Sequence, residues 1–411
     1  MSIAHGVTTT HLVVDEPSRV VEDDTLAISA RVRIRADGAP RPTPVVGDTQ
    51  RLIVRVHDVG QFDPDALAAL RVADPEDLTP LLPVLALMAC RLDADLAIDA
   101  ATCPVATSGV VAATAQYAAW WGWHGVGVQV RRDAAPQPAS GGRGLFFTRG
   151  LDSASVLVAA STAGHPPTHL VGLDWVDAPY DIADHGDVWR ATAAAVAESG
   201  LPLVRVTTNA RTFTDPLISW DFSHAPVLAA TALALGGVVD CVGIASTHPA
   251  GHPVPFASHP DVDPLWSSAT VRIEHRLDVP GGRTARAGVV AGDPWAARWL
   301  AVCWEQSGEG NCGRCRKCLA TMCSLWLVGA DEVIANRFAG SLSPSAIESL
   351  AESVPLGGRG ITASVARELA AVGDGDTLDG LSVRTSVTER RMARALGEAW
   401  RVVLDGTAAG R

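Results

Sequence analysis

The sequence predicts an α/β protein whose core is a parallel, doubly wound sheet, with an N-terminal α+β domain and a helical C-terminal region. Strand-like and helix-like segments alternate from residue 141 to residue 247, which is typical of a parallel sheet with helices on both faces. Five of the eight cysteines lie between residues 303 and 323, at the spacing of metal ligands. We therefore expect a parallel α/β core that carries a cysteine-rich metal module.

The composition describes a globular protein without an extended basic surface. The chain has 411 residues, of which 47% are hydrophobic and 19% charged, and this length is enough for two or three domains. The net charge of −12 disfavours general nucleic-acid binding, because that requires basic surface. The N-terminus lacks the basic and apolar regions of a signal peptide, and no long uncharged apolar run follows. We expect a cytoplasmic protein with reduced cysteines and no membrane span.

Residues 1–140 are predicted to form the N-terminal α+β domain. Strand candidates alternate apolar and polar residues, and helix candidates are longer apolar segments. The strands are predicted at 25–36, 51–59 and 95–100, and the helices at 79–92 and 108–123. Trp120 and Trp121 are predicted to be core or interface residues. Residues 133–144 are rich in proline, glycine and serine, and are predicted to be a linker or loop that opens the next domain.

Residues 141–325 are predicted to form the central domain, and residues 326–411 a helical region. Strands are predicted at 144–147, 168–176, 201–209 and 238–247, and helices at 153–163, 188–200 and 224–237. Ligands of parallel sheets bind beyond the carboxyl ends of the strands, which here are Thr148, Asp174, 207–211 and 245–247. The amphipathic segments after residue 326 predict helices that serve packing or homodimerisation.

The turn from Thr148 to Ser153 is the first candidate site, because it joins a predicted strand to a predicted helix. Free backbone N–H groups and the helix dipole at such a turn favour an anion. Gly150 allows close approach, Ser153 supplies a hydroxyl, and Arg149 supplies a guanidinium for a phosphate. Asp152 is predicted to cap the helix or to hold Mg²⁺. A strand-to-helix turn without a ligand is an equally good interpretation of these residues alone.

The cysteine cluster is the second candidate site. Two C-x-x-C turns present thiolates to one tetrahedral ion, and Gly313 eases the first turn. Four thiolates without a histidine favour a closed structural Zn²⁺ site, with an iron–sulfur cluster or free thiols as alternatives. The predicted ligands are Cys303, Cys312, Cys315 and Cys318. Cys323 is predicted to belong to the core. A less favoured second metal site would use His248, His252 and His259.

These motifs together resemble the PP-loop (N-type) ATP pyrophosphatase superfamily. The turn is similar to its S-G-G-x-D-S loop, with Thr148 at the serine and Arg149 at the first glycine. Arginine at that position is expected to avoid the positive φ that glycine tolerates. The loop followed by C-x8-C-G-x-C-x-x-C resembles 7-cyano-7-deazaguanine synthase. "HPDVDPLW" at 259–266 is similar to that family's Y-P-D-C-R-P-E-F, with Asp263 replacing its arginine and Leu265 its glutamate.

The resemblance covers residues 143–325 and looks like a relative of that family with an N-terminal extension. It implies an adenine nucleotide alpha hydrolase-like, Rossmann-type fold and an ATP-dependent ligase. Such a ligase adenylates a small-molecule carboxylate or amide with Mg²⁺, releases pyrophosphate, and transfers ammonia or an amine to form an amide or nitrile. The implied phosphate loop is Thr148, Gly150, Asp152 and Ser153, with Arg149 as a local addition. Further implied contacts are Asp174, Ser246, Thr247, Arg283 and Arg286 for the nucleotide, and His259 and Asp261 for the substrate.

Lys317 is the one lysine in the sequence and is a further candidate for phosphate contact. Because residue 2 is serine, no N-terminal cysteine nucleophile for glutamine hydrolysis is expected, so ammonia would arrive free or the second substrate would be an amine. Two alternatives to a ligase are open. Adenylation-dependent sulfur transfer needs a reactive cysteine among Cys90, Cys103, Cys241 and Cys323. A nucleotide-binding or partner-binding module without turnover is the second.

Overall fold

A computed structural model gives the fold of the chain. The described residues are 10–36, 39–41, 50–57, 73–174, 186–249, 254–303, 305, 310–352, 359–378 and 381–406. The structure is α/β, with a large, mostly parallel sheet and helices, which confirms the fold class at this level. The doubly wound, Rossmann-type arrangement stays a prediction.

The strands within the described residues belong to one sheet of eleven strands. They are β1 (Thr10–Glu22), β2 (Thr25–Ala36), β3 (Ala39–Arg41), β4 (Arg51–His57), β5 (Asp95–Thr102), β6 (Val128–Asp133), β7 (Arg143–Phe146), β8 (His169–Asp174), β9 (Leu203–Thr208), β10 (Cys241–Ala245) and β11 (Arg272–Arg276). Their order is β11-β10-β7-β8-β9-β4-β2-β1-β5-β6, with β3 paired to β2. The pairs β1–β2, β2–β3, β2–β4 and β4–β9 are antiparallel, and the pairs β1–β5 and β5–β6 are parallel.

Helices flank these strands along the chain. The α-helices of the described residues are α1 (Leu82–Arg91), α2 (Pro104–Trp121), α3 (Leu151–Thr162), α4 (Gly186–Ser199), α5 (Ala210–Thr214), α6 (Trp220–Leu233), α7 (Arg283–Gly292), α8 (Pro294–Trp299), α9 (Arg316–Leu327), α10 (Asp331–Arg337), α11 (Pro344–Glu348), α12 (Arg359–Asp374) and α13 (Val387–Gly406). None of the helices in the described ranges combines the length and apolar character that crossing a membrane requires.

The predicted elements are confirmed in type, whereas the strands β1, β3, β6 and β11 were not predicted. The strands predicted at 25–36 and 51–59 correspond to β2 and β4, and the helix predicted at 79–92 includes α1. In β1, Leu12 and Val14 are buried in alternation, but the alternation stops at Asp15. There the pairing with β2 shifts register between Asp15 and Ser18, and this bulge conceals the strand in the sequence.

The chain divides into two compact units, each made of several segments. Unit 1 consists of Met1–Gly144, Val204–Ile244 and Pro255–His275, and unit 2 of Leu145–Leu203, Ala245–Val254 and Arg276–Arg411. The sequence instead predicts three consecutive domains at 1–140, 141–325 and 326–411. The boundaries of these three predicted domains stay predictions.

The core of unit 1 contains helix α1 and an aromatic cluster. Nine of the ten residues of α1 are buried, as its apolar sequence predicts. Tyr117 on α2 is fully buried and donates a hydrogen bond to the carbonyl of Ala257 at 2.8 Å. Its ring lies 6.1 Å from that of Trp120 and 4.8 Å from that of Trp121, centroid to centroid. The two tryptophans are therefore half-buried parts of an aromatic cluster, as predicted.

The core of unit 2 joins the segment around α3 to the C-terminal helices. Leu157 on α3, Leu319 on α9, Leu369 on α12 and Trp400 on α13 belong to one buried cluster. Cys323 is fully buried and accepts a hydrogen bond from Nε1 of Trp400 at 3.4 Å, so its assignment to the core is confirmed. The helical region after residue 326 thus packs against the same core that supports the first candidate site.

Candidate functional site

The turn between β7 and α3 has the strand-to-helix geometry that the sequence predicts. Gly150 precedes α3 with extended backbone angles, φ −69° and ψ 161°. The N–H of Thr148 donates to Oγ of Ser153 at 3.3 Å, and the N–H of Gly150 donates to Oγ1 of Thr148 at 3.3 Å. Among the described residues, no side chain accepts a hydrogen bond from the first-turn N–H groups of α3. These amides are therefore available to a ligand.

Arg149 adopts a left-handed backbone conformation, with φ 60°. The expectation that arginine avoids positive φ here was wrong. Its side chain is 2% exposed, and Nε donates to Oγ1 of Thr192 at 3.2 Å while Nη2 lies 3.5 Å from the carbonyl oxygen of Val188, both on α4. A left-handed arginine costs about 1–2 kcal/mol, and hydrogen bonds from a charged donor contribute about 1.5–3 kcal/mol each, which offsets that cost. The contact of Arg149 with a phosphate stays a prediction.

Half-buried Asp152 in the first turn of α3 forms an ion cluster with two buried arginines of α7. Nη1 of Arg286 donates to Oδ1 of Asp152 at 2.9 Å, and Nη1 of Arg283 lies 3.6 Å from the same oxygen. Arg286 also donates to the carbonyls of Thr247 and His248, each at 2.9 Å. Asp152 therefore does not cap α3, and capping was one of its two predicted roles. The cluster brings the turn, the segment after β10 and the start of α7 together.

The charges of this cluster leave a positive surplus. Burial of Asp152 opposes its ionisation, but the nearby charges of Arg283 and Arg286 outweigh burial and lower its pKa. Burial lowers the pKa of Arg283, with Asp152 opposing. Lys317, in the first turn of α9, is close enough to add to the lowering of the Asp152 pKa. Among the described residues, Asp152 is the one carboxylate within 4 Å of the two buried guanidinium groups, and Glu368 acts on Arg283 from farther away. An additional anion would balance the remaining positive charge.

Arg283 has hydrogen-bond donors without acceptors. Its side chain is 3% exposed, and Nη2 donates to Oγ1 of Thr321 on α9 at 2.9 Å. Its Nε and Nη1 have no hydrogen-bond partner within the described ranges. A buried guanidinium carries five N–H donors, and leaving them unpaired costs free energy unless a ligand supplies oxygens. The sequence identified Arg283 through the resemblance, but the role of Thr321 in holding it was missed.

The remaining nucleotide candidates lie at strand ends, as the sequence predicts. Asp174 is the last residue of β8 and is 5% exposed. Ser246 directly follows β10, and its Oγ donates to the carbonyl of His248 at 2.8 Å. The carbonyl of Thr247 is used by Arg286, as described above. Direct contact of these three residues with a nucleotide stays a prediction.

His259 and Asp261 belong to unit 1, where a buried carboxylate organises their loop. The N–H of Asp261 donates to Nδ1 of His259 at 3.1 Å, and the Asp261 side chain is 74% exposed. Burial lowers the pKa of His259, and His275 adds to the lowering. Fully buried Asp263 accepts hydrogen bonds from Oγ of Ser258 at 2.6 Å and Nδ1 of His275 at 2.7 Å. The sequence marked Asp263 as a departure from the family pattern and missed its part in holding this loop.

The four predicted metal ligands converge in unit 2. The Sγ atoms of Cys303, Cys312, Cys315 and Cys318 all lie within 4.8 Å of one another. Sγ of Cys303 is 4.0 Å from that of Cys315, and Sγ of Cys312 is 3.9 Å from that of Cys318. Thiolates 2.3 Å from one tetrahedral ion lie about 3.8 Å apart, so the spacing fits. These cysteines could hold a zinc ion. Within the described residues no histidine group of comparable geometry is found, and His252 lies outside them.

Asn311 and Gly313 set the shape of the cysteine module. Oδ1 of Asn311 accepts from the N–H groups of Val302 and Cys303 at 2.7 and 3.2 Å, and Nδ2 donates to the Leu300 carbonyl at 3.1 Å. Gly313 has φ 66°, and a Cβ there would lie 2.2 Å from the backbone nitrogen of Gly340. The glycine was predicted from the sequence. Asn311 was missed, because a single asparagine carries no spacing signal.

The cysteine module contacts the phosphate-loop candidate through the backbone. The N–H of Ala301, two residues before Cys303, donates to the carbonyl of Arg149 at 3.1 Å. Helix α9 begins directly after Cys315 and carries Thr321, the partner of Arg283. The two candidate sites of unit 2 are thus mechanically linked at two points.

Comparison of the chain with protein-family models, with curated proteins and with solved structures finds no match.

Replacement of Asp152 tests the ion cluster. The carboxylate pKa is lower in the folded protein than in the unfolded chain, so its stabilisation is present above the unfolded pKa of about 3.9 and is lost as pH falls through the folded pKa. Asp152→Asn should reduce the free energy of unfolding by about 3 kcal/mol at neutral pH, because two buried arginines lose their counter-charge. Urea denaturation should show this difference shrink below about pH 4.

The matched control is Asp376→Asn, because Asp376 is exposed. It should leave the urea midpoint unchanged at both pH values. Equal stability of Asp152→Asn and the wild-type chain at neutral pH would contradict the ion cluster.

Replacement of Gly313 tests the cysteine module. Gly313→Ala places a Cβ against Gly340 in a left-handed conformation and should lower stability by about 2–4 kcal/mol. The chain should also lose most of its bound metal, measured by elemental analysis after purification. Gly310→Ala is the control, because a Cβ there meets no atom within 4 Å. Full metal retention by Gly313→Ala would show that the turn tolerates the substitution and that its glycine is not required.

Proposed function

We propose that unit 2 binds the phosphates of ATP at the N-terminus of α3 and that the protein is an ATP-dependent ligase. The ligase adenylates a small-molecule carboxylate and transfers ammonia or an amine to the activated carbon to form an amide; an amide adenylated in the same way gives a nitrile by loss of AMP and a proton. The observation that carries the proposal is the unsatisfied, buried guanidinium of Arg283 beside uncapped amides of α3. Both features favour a polyanion, and the resemblance of the loop to PP-loop enzymes supports a nucleoside triphosphate as that anion.

The phosphates contact both the turn and residues of the neighbouring helices α7 and α9. The N–H groups at the start of α3 and the hydroxyl of Ser153 donate to phosphate oxygens, and Gly150 lets the backbone approach them. Arg283 supplies its free donors to the same anion. The arginine contacts of Asp152 fall on Oδ1, so we assign Oδ2 to Mg²⁺ held against the phosphates. Lys317 adds positive charge nearby.

The proposed chemistry follows from where negative charge develops. A carboxylate oxygen of the substrate attacks the α-phosphorus, the bond between this phosphorus and the bridging oxygen to the β-phosphate breaks, and pyrophosphate leaves with the electron pair. Donors fixed before the reaction stabilise that leaving charge more than mobile water does. An amine nitrogen then attacks the acyl carbon, the bond to AMP breaks, and the amine releases a proton. The product is an amide.

Zinc is the metal that we propose for the four cysteines. The donor set contains four sulfur atoms, three of the cysteines are buried, and no ligand position is left open to a substrate. The role of the ion is therefore structural. It would fix the start of α9, which carries Thr321 and so positions Arg283.

Sulfur transfer is the weaker candidate function because the cysteines outside the metal cluster are buried. Burial raises the pKa of Cys90 to about 12, that of Cys241 to about 11 and that of Cys323 to about 12. Thiols with such pKa values are protonated at neutral pH and are poor nucleophiles. Cys103 is also buried, at 6% exposure.

A pyrophosphate-release assay tests the proposed ligase. With ATP, Mg²⁺, ammonia and a panel of small carboxylates, the wild-type chain should release pyrophosphate with at least one acid. Ser153→Ala and Asp152→Ala should reduce release at least about 100-fold, because each removes contacts to the charge that develops on pyrophosphate. Ser161→Ala, an exposed position on the same helix, should have no effect.

ATP binding by the same variants separates the outcomes. Undiminished release by Ser153→Ala and Asp152→Ala would remove the turn from the mechanism. ATP binding at this turn without release for any acid would instead favour the binding module without turnover.

Elemental analysis tests the metal proposal. The purified chain should contain about one zinc per chain and no visible colour, and Cys312→Ser should lower the zinc content because it removes one of four ligands. An iron signal with a coloured protein would show that the four cysteines hold an iron–sulfur cluster instead of zinc.

A further inference from the structure

A cavity of about 280 Å³ lies in unit 2, between the start of α7, helix α12 and the segment that follows α12. Its lining combines small residues with apolar side chains and one residue of each charge. Among the lining residues are Gly282, Arg367, Glu368, Leu378 and Leu381. Such a volume suits a small molecule, and none of the roles proposed for the phosphate turn uses it.

The two charged residues of the cavity, Arg367 and Glu368, form no close ion pair within the described residues. Among the described residues, neither Arg367 nor Glu368 has an oppositely charged group within 4 Å. Arg367 is exposed toward solvent, and Glu368 is half-buried. Neighbouring positions on one helix thus bring an unpaired cation and an unpaired anion to a single cavity.

The carboxylate of Glu368 is held in place by the start of α7. Its Oε2 accepts a hydrogen bond from Oγ1 of Thr284 at 2.8 Å. A Cβ at Gly282 would lie 1.8 Å from Oε1, so the glycine makes room for this oxygen. The hydrogen bond from Oγ1 of Thr284 falls on Oε2, and a carboxylate accepts about four hydrogen bonds in all. Acceptor capacity therefore remains for a ligand that supplies N–H donors.

Burial of the Glu368 carboxylate also favours a ligand that supplies N–H donors. It raises the pKa of Glu368, and the hydrogen bonds from Thr284 only partly oppose that shift. A cationic ligand beside the carboxylate would favour its charged form. Arg283 and Arg286 act on Glu368 only as weaker, more distant charges.

The apolar residues of the cavity complete the description of its ligand. Leu378 and Leu381 line it together with Pro249 and Ala371. A nucleotide or another polyanion would meet the negative charge of Glu368, and a hydrocarbon would leave both charges unpaired. A ligand with one cation, one anion and a small apolar group satisfies all of these residues at once.

We propose that this cavity binds a zwitterion of the α-amino acid type. The ligand carboxylate pairs with Arg367, its ammonium group donates to Glu368, and its aliphatic side chain packs against Leu378 and Leu381. Binding requires neither ATP nor the chemistry proposed above, so this site can be tested independently of the proposed ligase function.

Isothermal titration calorimetry of the full chain with single L-amino acids tests the proposal. An aliphatic amino acid such as L-leucine should bind, whereas 4-methylpentanoate and isoamylamine, which lack its amine or its carboxylate, should bind at least about tenfold more weakly. Arg367→Ala should weaken binding at least about tenfold because it removes the partner of the carboxylate. Leu378→Trp should abolish binding by filling the cavity.

Arg401→Ala is the matched control, because Arg401 is an exposed arginine on α13 that does not line the cavity. It should bind as the wild-type chain does, and the melting temperatures of all variants show whether they fold. Arg367 is exposed, so a folded Arg367→Ala chain keeps the test decisive if Leu378→Trp unfolds. Absence of binding by every amino acid at millimolar concentration would overturn the proposal. Equal binding of the single-charge analogues, or undiminished binding by Arg367→Ala, would also overturn it.

Discussion

The ion cluster of Asp152, Arg283 and Arg286 is the interaction on which the candidate site of unit 2 depends. It ties the first turn of α3 to α7 and to the backbone after β10. The charges of the two arginines act strongly because little water screens them, and Asp152 is the one carboxylate within 4 Å of them among the described residues, an imbalance that an added anion would relieve. The same imbalance makes this turn a candidate for phosphate and not simply a junction between two elements.

The cysteine module supports that cluster from a second direction. Its four sulfur atoms converge at the start of α9, Thr321 on this helix accepts from Arg283, and Ala301 donates to the Arg149 carbonyl. A structural metal ion would therefore act on the anion site through the backbone and one hydroxyl. Hydrogen bonds to α4 hold the strained backbone of Arg149, whose carbonyl accepts the bond from Ala301.

Features with a local signature could be predicted from the sequence, and features made by distant contacts could not. Alternating hydrophobicity identified β2 and β4, and the thiol spacing identified the four cysteines that converge. β1 was missed because a bulge interrupts its alternation. The turn at 148–153 was located, but the backbone of Arg149 was predicted wrongly.

The backbone of Arg149 was predicted wrongly because contacts made in the tertiary structure decide its conformation. Intrinsic preference disfavours a left-handed arginine, whereas hydrogen bonds to Thr192 and Val188, remote in sequence, reverse the balance. Asn311, Thr321 and Asp263 were missed for the same reason, since each acts by a buried hydrogen bond to a residue that only the fold brings near. Arg283 and Arg286 were identified by resemblance, but their shared partner Asp152 became visible only in the structure.

A crystal structure of the chain with Mg²⁺ and a nonhydrolysable α,β-methylene analogue of ATP tests the central claim most directly. The account predicts phosphate oxygens within hydrogen-bond distance of the amides at the start of α3 and of Nε or Nη1 of Arg283. It also predicts that the guanidinium of Arg149 stays on α4. An analogue bound elsewhere, with Nε and Nη1 of Arg283 still lacking an acceptor, would contradict the account.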